Sequence, residues 1–231
     1  MPPIDKRAAL ANHVLFGPLE GAEREQLLTL GAERRFSDGQ MIFQRGDAGA
    51  SMMLVLRGQV KISIVSDDGK ELIFSIIPPG ECFGEIALLD GQARTADAIA
   101  VGDCTLFVLT RSDFIPFLER HPQVAIRLLA VLCARVRATS EFIERLAFQN
   151  LPARLARLLL DLAATQGATT PAGIRIACKL SQQEIGNLIA TSRESVNKQL
   201  RTWQAAGLLK IDHGIITLLQ PAALNRLAGS A

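Results

Sequence analysis

Short β-rich runs separated by glycines fill the chain between residues 35 and 109. The runs cover residues 41–43, 53–56, 60–65, 72–77 and 98–109. The glycines that punctuate them are Gly39, Gly46, Gly58, Gly69, Gly80 and Gly91. Many short strands at this spacing are typical of an antiparallel barrel or a jelly roll. We therefore expect residues 1–121 to form one domain around a β-barrel of the jelly-roll kind.

The hydrophobic period changes after Arg111. Ser112 is expected to cap a short helix, and a longer helix should begin after Pro122 and end near Phe148. Six residues of the longer helix share a 3-4-3-4-3 spacing and form one seam, namely Leu129, Leu132, Val136, Thr139, Ile143 and Leu146. The seam either packs on the barrel or pairs with its own copy across a two-fold axis. Because such a helix outruns a small barrel, we favour self-pairing and interpret residues 122–150 as a dimerisation helix and hinge.

A proline marks the hinge. The residues Asn150-Leu151-Pro152 interrupt the helical pattern, since proline removes a backbone donor and disfavours helix in the residue before it. Beyond the hinge we expect an amphipathic helix over residues 153–166, a loop over residues 167–173 and a short strand over residues 174–178.

Two capping boxes follow the short strand. Ser181 with Glu184 starts one helix, Thr191 with Glu194 starts a second, and a tight turn separates them. Two short helices joined in this way are typical of a helix-turn-helix. Residues 208–219 alternate as a hairpin whose tip is Asp212-His213-Gly214. The sequence therefore predicts a winged helix-turn-helix domain over residues 151–231.

The net charge of +2 hides an asymmetry along the chain. Residues 1–150 hold 16 lysines and arginines against 19 aspartates and glutamates, a net charge of −3. Residues 151–231 hold 9 against 4, a net charge of +5. A basic small domain indicates a polyanionic partner, although the excess also suits a merely solubilising surface.

Composition argues against several other classes of protein. The four cysteines are widely spaced and include no C-x-x-C pair, so buried or free thiols are expected at Cys82, Cys104, Cys133 and Cys178. We also expect His13, His121 and His213 to be satisfied surface or loop residues, and no metal site. No stretch approaches the roughly 18 uncharged residues of a membrane span, and the first residues lack a long apolar run. The expectation is a cytoplasmic protein without a membrane partner.

The segment FGEIALLDGQARTADA, residues 83–98, carries the most specific chemistry. A turn that offers the backbone amides of Gly84, Glu85, Ile86 and Ala87, with one arginine nearby, suits a single phosphate, because amides and a guanidinium both donate to its oxygens. A carboxylate beside that phosphate would repel it. Glu85 is better used in accepting a hydrogen bond from a sugar hydroxyl.

This segment resembles the phosphate-binding cassette of cyclic-nucleotide-binding domains, with the pattern F-G-E-x-A-L-x-x-x-x-x-R-[TAS]-A. The resemblance implies that Arg94 binds the cyclic phosphate and that Glu85 binds the ribose hydroxyl. It also places the Thr95 hydroxyl near the phosphate, with the amides of Glu85, Ile86 and Ala87 completing the cradle. The alternative is a degenerate barrel that kept the loop and lost the ligand.

With barrel, seam helix and helix-turn-helix in this order, the whole chain resembles the CRP/FNR family, specifically its catabolite activator branch. The resemblance implies an α+β fold: a cyclic-nucleotide-binding β-barrel, a long dimerisation helix and a C-terminal winged helix-turn-helix. The stretch ATSE, residues 138–141, is similar to the adenine-contacting Thr-Ser of that branch. From the pattern alone, Thr139 is a polar residue on an apolar seam, and such a residue can equally serve to fix the register in which two helices pair. The resemblance favours ligand contacts for Thr139 and Ser140.

The stretch SRESVNKQL is similar to the DNA-reading helix of the same family. In a major groove, Arg193 can bond guanine and Glu194 can accept from a cytosine amino group. The family usually has arginine where this chain has Lys198, and lysine lacks the planar fork. A surface ion pair between Glu194 and Lys198, one turn apart, is the alternative. We expect phosphate contacts from Ser181, Thr191, Ser192, Ser195 and Lys210.

These features predict a homodimeric, cyclic-nucleotide-responsive regulator that binds double-stranded DNA at a palindrome with TGTGA-like half-sites. Cyclic AMP is the expected ligand, RNA polymerase a further partner, and the alternatives are response to cyclic GMP or gating without a nucleotide. An enzyme is not expected, because no triad, metal cluster or carboxylate pair converges. A subunit that docks on a kinase or channel would need a docking helix or membrane span where this chain has a helix-turn-helix.

Overall fold

A computed structural model of the protein describes residues 6–11, 13–176 and 180–229. The described chain falls into two compact units, each with its own core. One comprises the chain up to Ser66 with Phe74–Val136, and the other comprises Asp67–Ile73 with the chain from Arg137 onward. None of the helices in these residues is long and apolar enough to cross a membrane.

The first unit is built on an antiparallel sheet in the order β1-β6-β3-β4, with β2 paired to β6 and β5 paired to β3. Its strands and helices are α1 Lys6–Ala11, α2 Gly21–Leu30, β1 Gly31–Phe36, β2 Met41–Phe43, β3 Ser51–Val65, β4 Glu71–Ile77, β5 Cys82–Phe83, α3 Glu85–Asp90, β6 Asp97–Thr110 and α4 Arg111–Arg120. The runs predicted at residues 53–56 and 60–65 are one strand, β3, whose pairing with β6 shifts register between Val55 and Gln59.

Both faces of this sheet are buried. Because alternate residues of a strand point to opposite faces, Met52 and Leu54 of β3 join one core cluster, which includes Phe107 and Phe114. Val55 lies in the other cluster, around Phe83, Ala98 and Leu106. The pairing order ends at β1 and β4 over the described residues, so the predicted barrel is a jelly-roll-like sheet and not a closed barrel.

Two helices follow the last strand. The expectation that Ser112 caps the first of them is wrong, because β6 runs on to Thr110 and α4 begins directly at Arg111, which leaves Ser112 inside its first turn. The second helix, α5, spans Pro122–Phe148, as the sequence predicted. Near its start Val124 and Leu128 are buried in the core of the first unit.

Beyond α5, the described residues of the second unit contain four helices and a small sheet. Its elements beyond α5 are α6 Leu151–Gln166, β7 Gly167–Thr170, β8 Gly173–Ile176, α7 Gln182–Leu188, α8 Arg193–Ala205, β9 Leu209–Asp212, β10 Ile215–Leu218 and α9 Pro221–Ala228. The strands pair in the order β7-β8-β10-β9. Leu159, Trp203 and Leu218 lie at the centre of its core.

Several local predictions in this unit are confirmed and others are wrong. Asn150 caps α6, its side chain accepting from the amide of Ala153 at 3.0 Å, so the helix starts two residues earlier than expected. The predicted loop over residues 167–173 is a hairpin of β7 and β8. The predicted wing is present, and its tip, with φ of 47° at His213 and 80° at Gly214, has the positive angles of a two-residue type I′ turn.

Candidate ligand and DNA-binding sites

The predicted phosphate cradle is a sharp turn that leads into a short helix. Gly84 has φ 80°, and a Cβ placed on it would lie 2.8 Å from Nη1 of Arg94, so both the backbone angle and the space favour glycine here. Helix α3 begins at Glu85. The amides of Glu85, Ile86 and Ala87 are therefore first-turn donors, which have no carbonyl partner within their own helix.

Arg94 is held on three sides in the core beside this turn. Its Nη1 donates to the carbonyl oxygen of Gly84 at 2.8 Å and its Nη2 donates to Oγ of Ser51 at 3.0 Å. Its guanidinium carbon lies 4.1 Å from the centre of the Phe43 ring, a cation–π distance. The side chain is only 5 % exposed. A buried guanidinium that is held in place by a carbonyl, a hydroxyl and an aromatic ring is well suited to bind an anion.

The electrostatics of Arg94 agree with that interpretation. Burial lowers the pKa of the Arg94 guanidinium from its ordinary value, and the nearby carboxylates of Asp47 and Glu85 oppose that shift. Because an arginine stays protonated in proteins, Arg94 keeps its charge, and burying that charge has a free-energy cost. Nε of Arg94 is buried without a hydrogen-bond partner among the described residues. A phosphate would provide an acceptor for Nε and place a further negative charge beside the guanidinium.

Glu85 is completely buried and bonded on one side only. Its Oε1 accepts from Nη1 of Arg135 on α5, and Nη2 of the same arginine donates to the carbonyl oxygen of Cys82. Its Oε2 is buried and has no partner within the described chain. Because a buried carboxylate oxygen normally accepts a hydrogen bond, Oε2 is suited to a hydroxyl donor such as that of a ribose.

The structure brings together five of the eight residues predicted to bind a ligand, which are Gly84, Glu85, Ile86, Ala87 and Arg94. Thr95 is the next residue along and is exposed. Thr139 and Ser140 are exposed on α5 in the second unit, so their contact with a ligand stays a prediction.

Three residues at the cradle escaped sequence reasoning. Phe43, Ser51 and Arg135 lie 51, 43 and 41 positions from Arg94 along the chain, and each has an ordinary place in its own element. Phe43 is one of several apolar strand residues, and Arg135 is one of several arginines on α5. Only the fold distinguishes them, because it is the fold that brings β2, β3 and α5 to the same turn.

The second candidate site is the exposed face of α8. Val196, Leu200 and Trp203 are buried on one side of the helix, whereas Arg193, Glu194 and Lys198 are exposed. No ion pair joins Glu194 to Lys198 in the described structure, and the base-reading role of the two residues stays a prediction. A hydrogen bond from its own backbone amide, followed by one from Ser192, lowers the pKa of Glu194, so this carboxylate is charged at neutral pH.

The predicted phosphate contacts lie around the starts of two helices and on the wing. Ser181 caps α7 and forms the predicted capping box with Glu184. The box predicted at Thr191 is wrong by one residue, since Ser192 caps α8 and accepts from the amide of Ser195 at 3.2 Å. Lys210 is exposed on β9.

The thiols and imidazoles have ordinary surroundings. Cys82 and Cys104 are buried, Cys133 is exposed, and Cys178 lies outside the described residues. Burial raises the pKa of the Cys82 thiol to about 12, so it is not a reactive thiolate. His13 lies in the loop that precedes α2, where its Nδ1 accepts from the amide of Leu15 at 3.1 Å; its side chain is buried, and burial lowers its pKa to about 4. Over the described ranges, no group of three or more histidine, cysteine or acidic residues could hold a metal ion.

Comparison with known families matches both candidate sites. Residues 33–121 match the cyclic nucleotide-binding domain, which includes the cradle, and residues 153–227 match the Crp-like helix-turn-helix domain, which includes α7, α8 and the wing. Thus each of the two units contains one recognised domain family, in the order that the sequence predicted.

Two relatives are similar to this chain over nearly the full length of both sequences. The Cyclic AMP receptor protein of Thermus thermophilus is 31% identical over 214 residues, covering 93% of this chain and 96% of that protein. The CRP-like cAMP-activated global transcriptional regulator of Mycobacterium tuberculosis is 28% identical over 215 residues, with 92% and 96% covered. These relatives are named as regulators, in agreement with the expectation that the chain is not an enzyme.

Solved structures of similar fold span most of the chain. A transcriptional regulator of the CRP family from Thermus thermophilus has 30% identity and a TM-score of 0.71, covering 86% of this chain and 97% of that one. The c-di-GMP responsive global regulator CLP of Xanthomonas campestris has 26% identity and a TM-score of 0.77, with 86% and 99% covered. On its sequence, its fold and its two domain families, the chain belongs to the CRP/FNR family of transcription regulators.

Proposed function

We propose that the protein is a homodimeric transcription regulator that binds cyclic AMP and, in response, a palindromic DNA site with TGTGA-like half-sites. The observation that carries the ligand proposal is the pair of unsatisfied buried atoms at the cradle, Nε of Arg94 and Oε2 of Glu85. One is a donor that suits a phosphate, and the other is an acceptor that suits a sugar hydroxyl. A cyclic nucleotide offers both groups on one rigid ring.

Dimerisation is supported by the apolar seam of α5. Leu129, Val136 and Ile143 are 60%, 65% and 59% exposed in the single chain. An exposed apolar row at helical spacing is typical of a helix that packs against a partner helix. We propose that two copies pair along this seam, with residues 1–121 as the nucleotide-binding domain, 122–150 as the dimerisation helix and hinge, and 151–231 as the DNA-binding domain.

Gating is proposed as a shift between two populated states. Nucleotide at the cradle, with Thr139 and Ser140 of α5 as further contacts, would favour the state in which the two α8 helices are spaced to enter successive major grooves. Asn150 lies between α5 and α6, and Pro152 lies in the first turn of α6; we propose that a small change of backbone angles at these residues redirects the DNA-binding domain. The protein would act in the cytoplasm, with RNA polymerase as a further partner.

The identity of the nucleotide is tested by calorimetric titration of the purified protein with cyclic AMP and cyclic GMP. We expect tighter binding of cyclic AMP, because the hydroxyls of Thr139 and Ser140 can accept from the exocyclic amine of adenine. Thr139→Ala should weaken cyclic AMP binding by about 3- to 10-fold, the value of one hydrogen bond, with a smaller effect on cyclic GMP. Thr95→Ala should weaken both nucleotides.

A suitable control is Thr165→Ala, which removes a threonine hydroxyl that bonds only to carbonyl oxygens of its own helix, α6. Tighter binding of cyclic GMP to the wild type, with a selective loss of that ligand in Thr95→Ala, would reverse the choice of base. Absence of heat with either nucleotide, together with operator binding, would favour the alternative of gating by another ligand, as in the c-di-GMP responsive regulator CLP.

DNA reading is tested at Arg193. Arg193→Ala should cost about 1–3 kcal/mol on the cognate site and relax the preference at one base pair, because a bidentate contact to guanine is lost. The measurement is fluorescence anisotropy at one fixed salt concentration on the palindrome, on single-base variants and on random DNA. Lys210→Ala should instead weaken binding to all sequences alike. Equal losses on specific and random DNA for Arg193→Ala would show that another residue reads the base.

A further inference from the structure

The short helix that carries the cradle amides is also held at its opposite end, by Arg111. Nη1 of Arg111 donates to the carbonyl oxygens of Leu88 and Leu89, the latter at 2.8 Å. Its backbone amide donates to the carbonyl oxygen of Ala50 at 2.8 Å. Arg111 is the first residue of α4, so these bonds join α3 to the start of α4 and to the segment that leads into β3.

These bonds supply partners that a six-residue helix lacks. The last carbonyls of any α-helix have no partner within it, and they form the negative end of its dipole. In α3 the amide of Gly91 satisfies Ala87 at 3.0 Å, and Arg111 satisfies the next two carbonyls. A cation is the favoured partner at that end. Without Arg111, two carbonyl groups of the helix would have to find water.

The position of α3 sets the position of the cradle. At 1.5 Å per residue the helix is only about 9 Å long, so a movement of its last turn is passed on to its first amides. The helix also has a close neighbour, since a Cβ placed on Gly49 would lie 2.0 Å from Cβ of Ala87. Next to Ala50, which accepts from Arg111, stands Ser51, which accepts from Arg94. Arg111 is thus bonded to α3, which carries the cradle amides, and to Ala50, the neighbour of the residue that accepts from Arg94.

We infer that Arg111 is a positioning residue for cyclic-nucleotide binding: it holds α3 from its carboxyl end so that the amides of Glu85, Ile86 and Ala87 converge with Arg94 before ligand arrives. The inference deepens the proposed function and rests on it for the ligand. It differs from a general stabilising role because it concerns one segment, residues 84–92, and because the groups that Arg111 bonds are not the groups that would touch the nucleotide.

The test uses Arg111→Met, which keeps a side-chain stem of similar length and removes the donors and the charge. Arg111→Lys keeps the charge and can still donate, and Arg120→Met makes the same change at the other end of α4, where the arginine bonds to Pro116 of its own helix. Two quantities are measured on the full-length protein: amide hydrogen exchange of residues 84–92 without ligand, and calorimetric affinity for cyclic AMP and cyclic GMP.

We expect faster exchange confined to residues 84–92 in Arg111→Met and about tenfold weaker nucleotide binding, the size of effect expected when charge-assisted bonds at a helix end are lost. Arg111→Lys should recover most of the affinity, and Arg120→Met should match the wild type. If Arg111→Met does not fold, Arg111→Ala is measured by the same criteria.

Two outcomes overturn the inference: unchanged exchange over residues 84–92, or faster exchange spread over the whole first unit with affinity within twofold of the wild type. Failure of the proposed function has a different signature, namely a wild-type protein that binds neither nucleotide. In that case the exchange measurement by itself still decides whether Arg111 holds α3.

Discussion

Arg94→Ala should abolish nucleotide binding, with a loss of affinity of at least about 100-fold for cyclic AMP and cyclic GMP alike. The substitution removes the only guanidinium that lies against the carbonyl oxygen of Gly84 in the described structure and leaves a phosphate charge in the core without its bidentate partner. Isothermal titration calorimetry measures the loss directly. Arg94→Lys should bind more weakly than the wild type but better than Arg94→Ala, since lysine retains the charge without the fork.

The matched control is Arg34→Ala, which removes an exposed arginine from β1 of the same unit. It should bind nucleotide as the wild type does. A folded Arg94→Ala protein, with wild-type circular dichroism, that still binds cyclic AMP within tenfold of the wild type would disprove the assignment of Arg94 to the phosphate.

Val136→Glu should give monomers that do not bind a palindromic site. The substitution places a carboxylate on the apolar seam of α5, where two copies would meet and bury two like charges beside each other. Light scattering measures the oligomeric state, and a gel shift on the palindrome measures DNA binding. Since each monomer would hold one half-site alone, operator affinity should fall by several orders of magnitude.

Ala134→Glu serves as the control, because Ala134 is exposed on α5 outside the seam and receives the same carboxylate. It should remain dimeric and bind the operator. A Val136→Glu protein that stays dimeric and binds its operator would show that the seam is not the dimer interface.

Local chemistry made much of the fold predictable. Helix α5 has the limits that its period indicated, and Ser181 with Glu184 forms the box that its spacing indicated. The error at the start of α8 arose because two neighbouring residues are both suited to cap the helix. Thr191 and Ser192 are both good caps, and which of them has the extended backbone is decided by the turn at Ala190, whose φ is 51°. The sequence pattern gives no information about this backbone angle.

Other features depend on contacts that no local pattern contains. Residues 167–173 have the composition of a loop, but Gly167–Thr170 form strand β7 by pairing with β8, which itself pairs with β10. The residues of the cradle likewise fall into those that the sequence predicts and those that only the fold reveals. Gly84, Glu85 and Arg94 fall within one short motif and were predictable, whereas Arg135 bonds to Glu85 from 50 positions away. Such a partner becomes visible only when α5 is placed against the end of β5.

On the proposed function, the bond between Glu85 and Arg135 would make the nucleotide response depend on the concentration of the protein itself. Arg135 precedes Val136 of the seam, so the residue that bonds to the carboxylate proposed to bind the sugar lies on the same helical turn as the proposed dimer contact. If pairing of two chains and binding of nucleotide are coupled through this turn, linkage requires that each changes the affinity of the other by the same factor. A cell that makes more of this protein would, by mass action alone, alter the nucleotide concentration at which it responds.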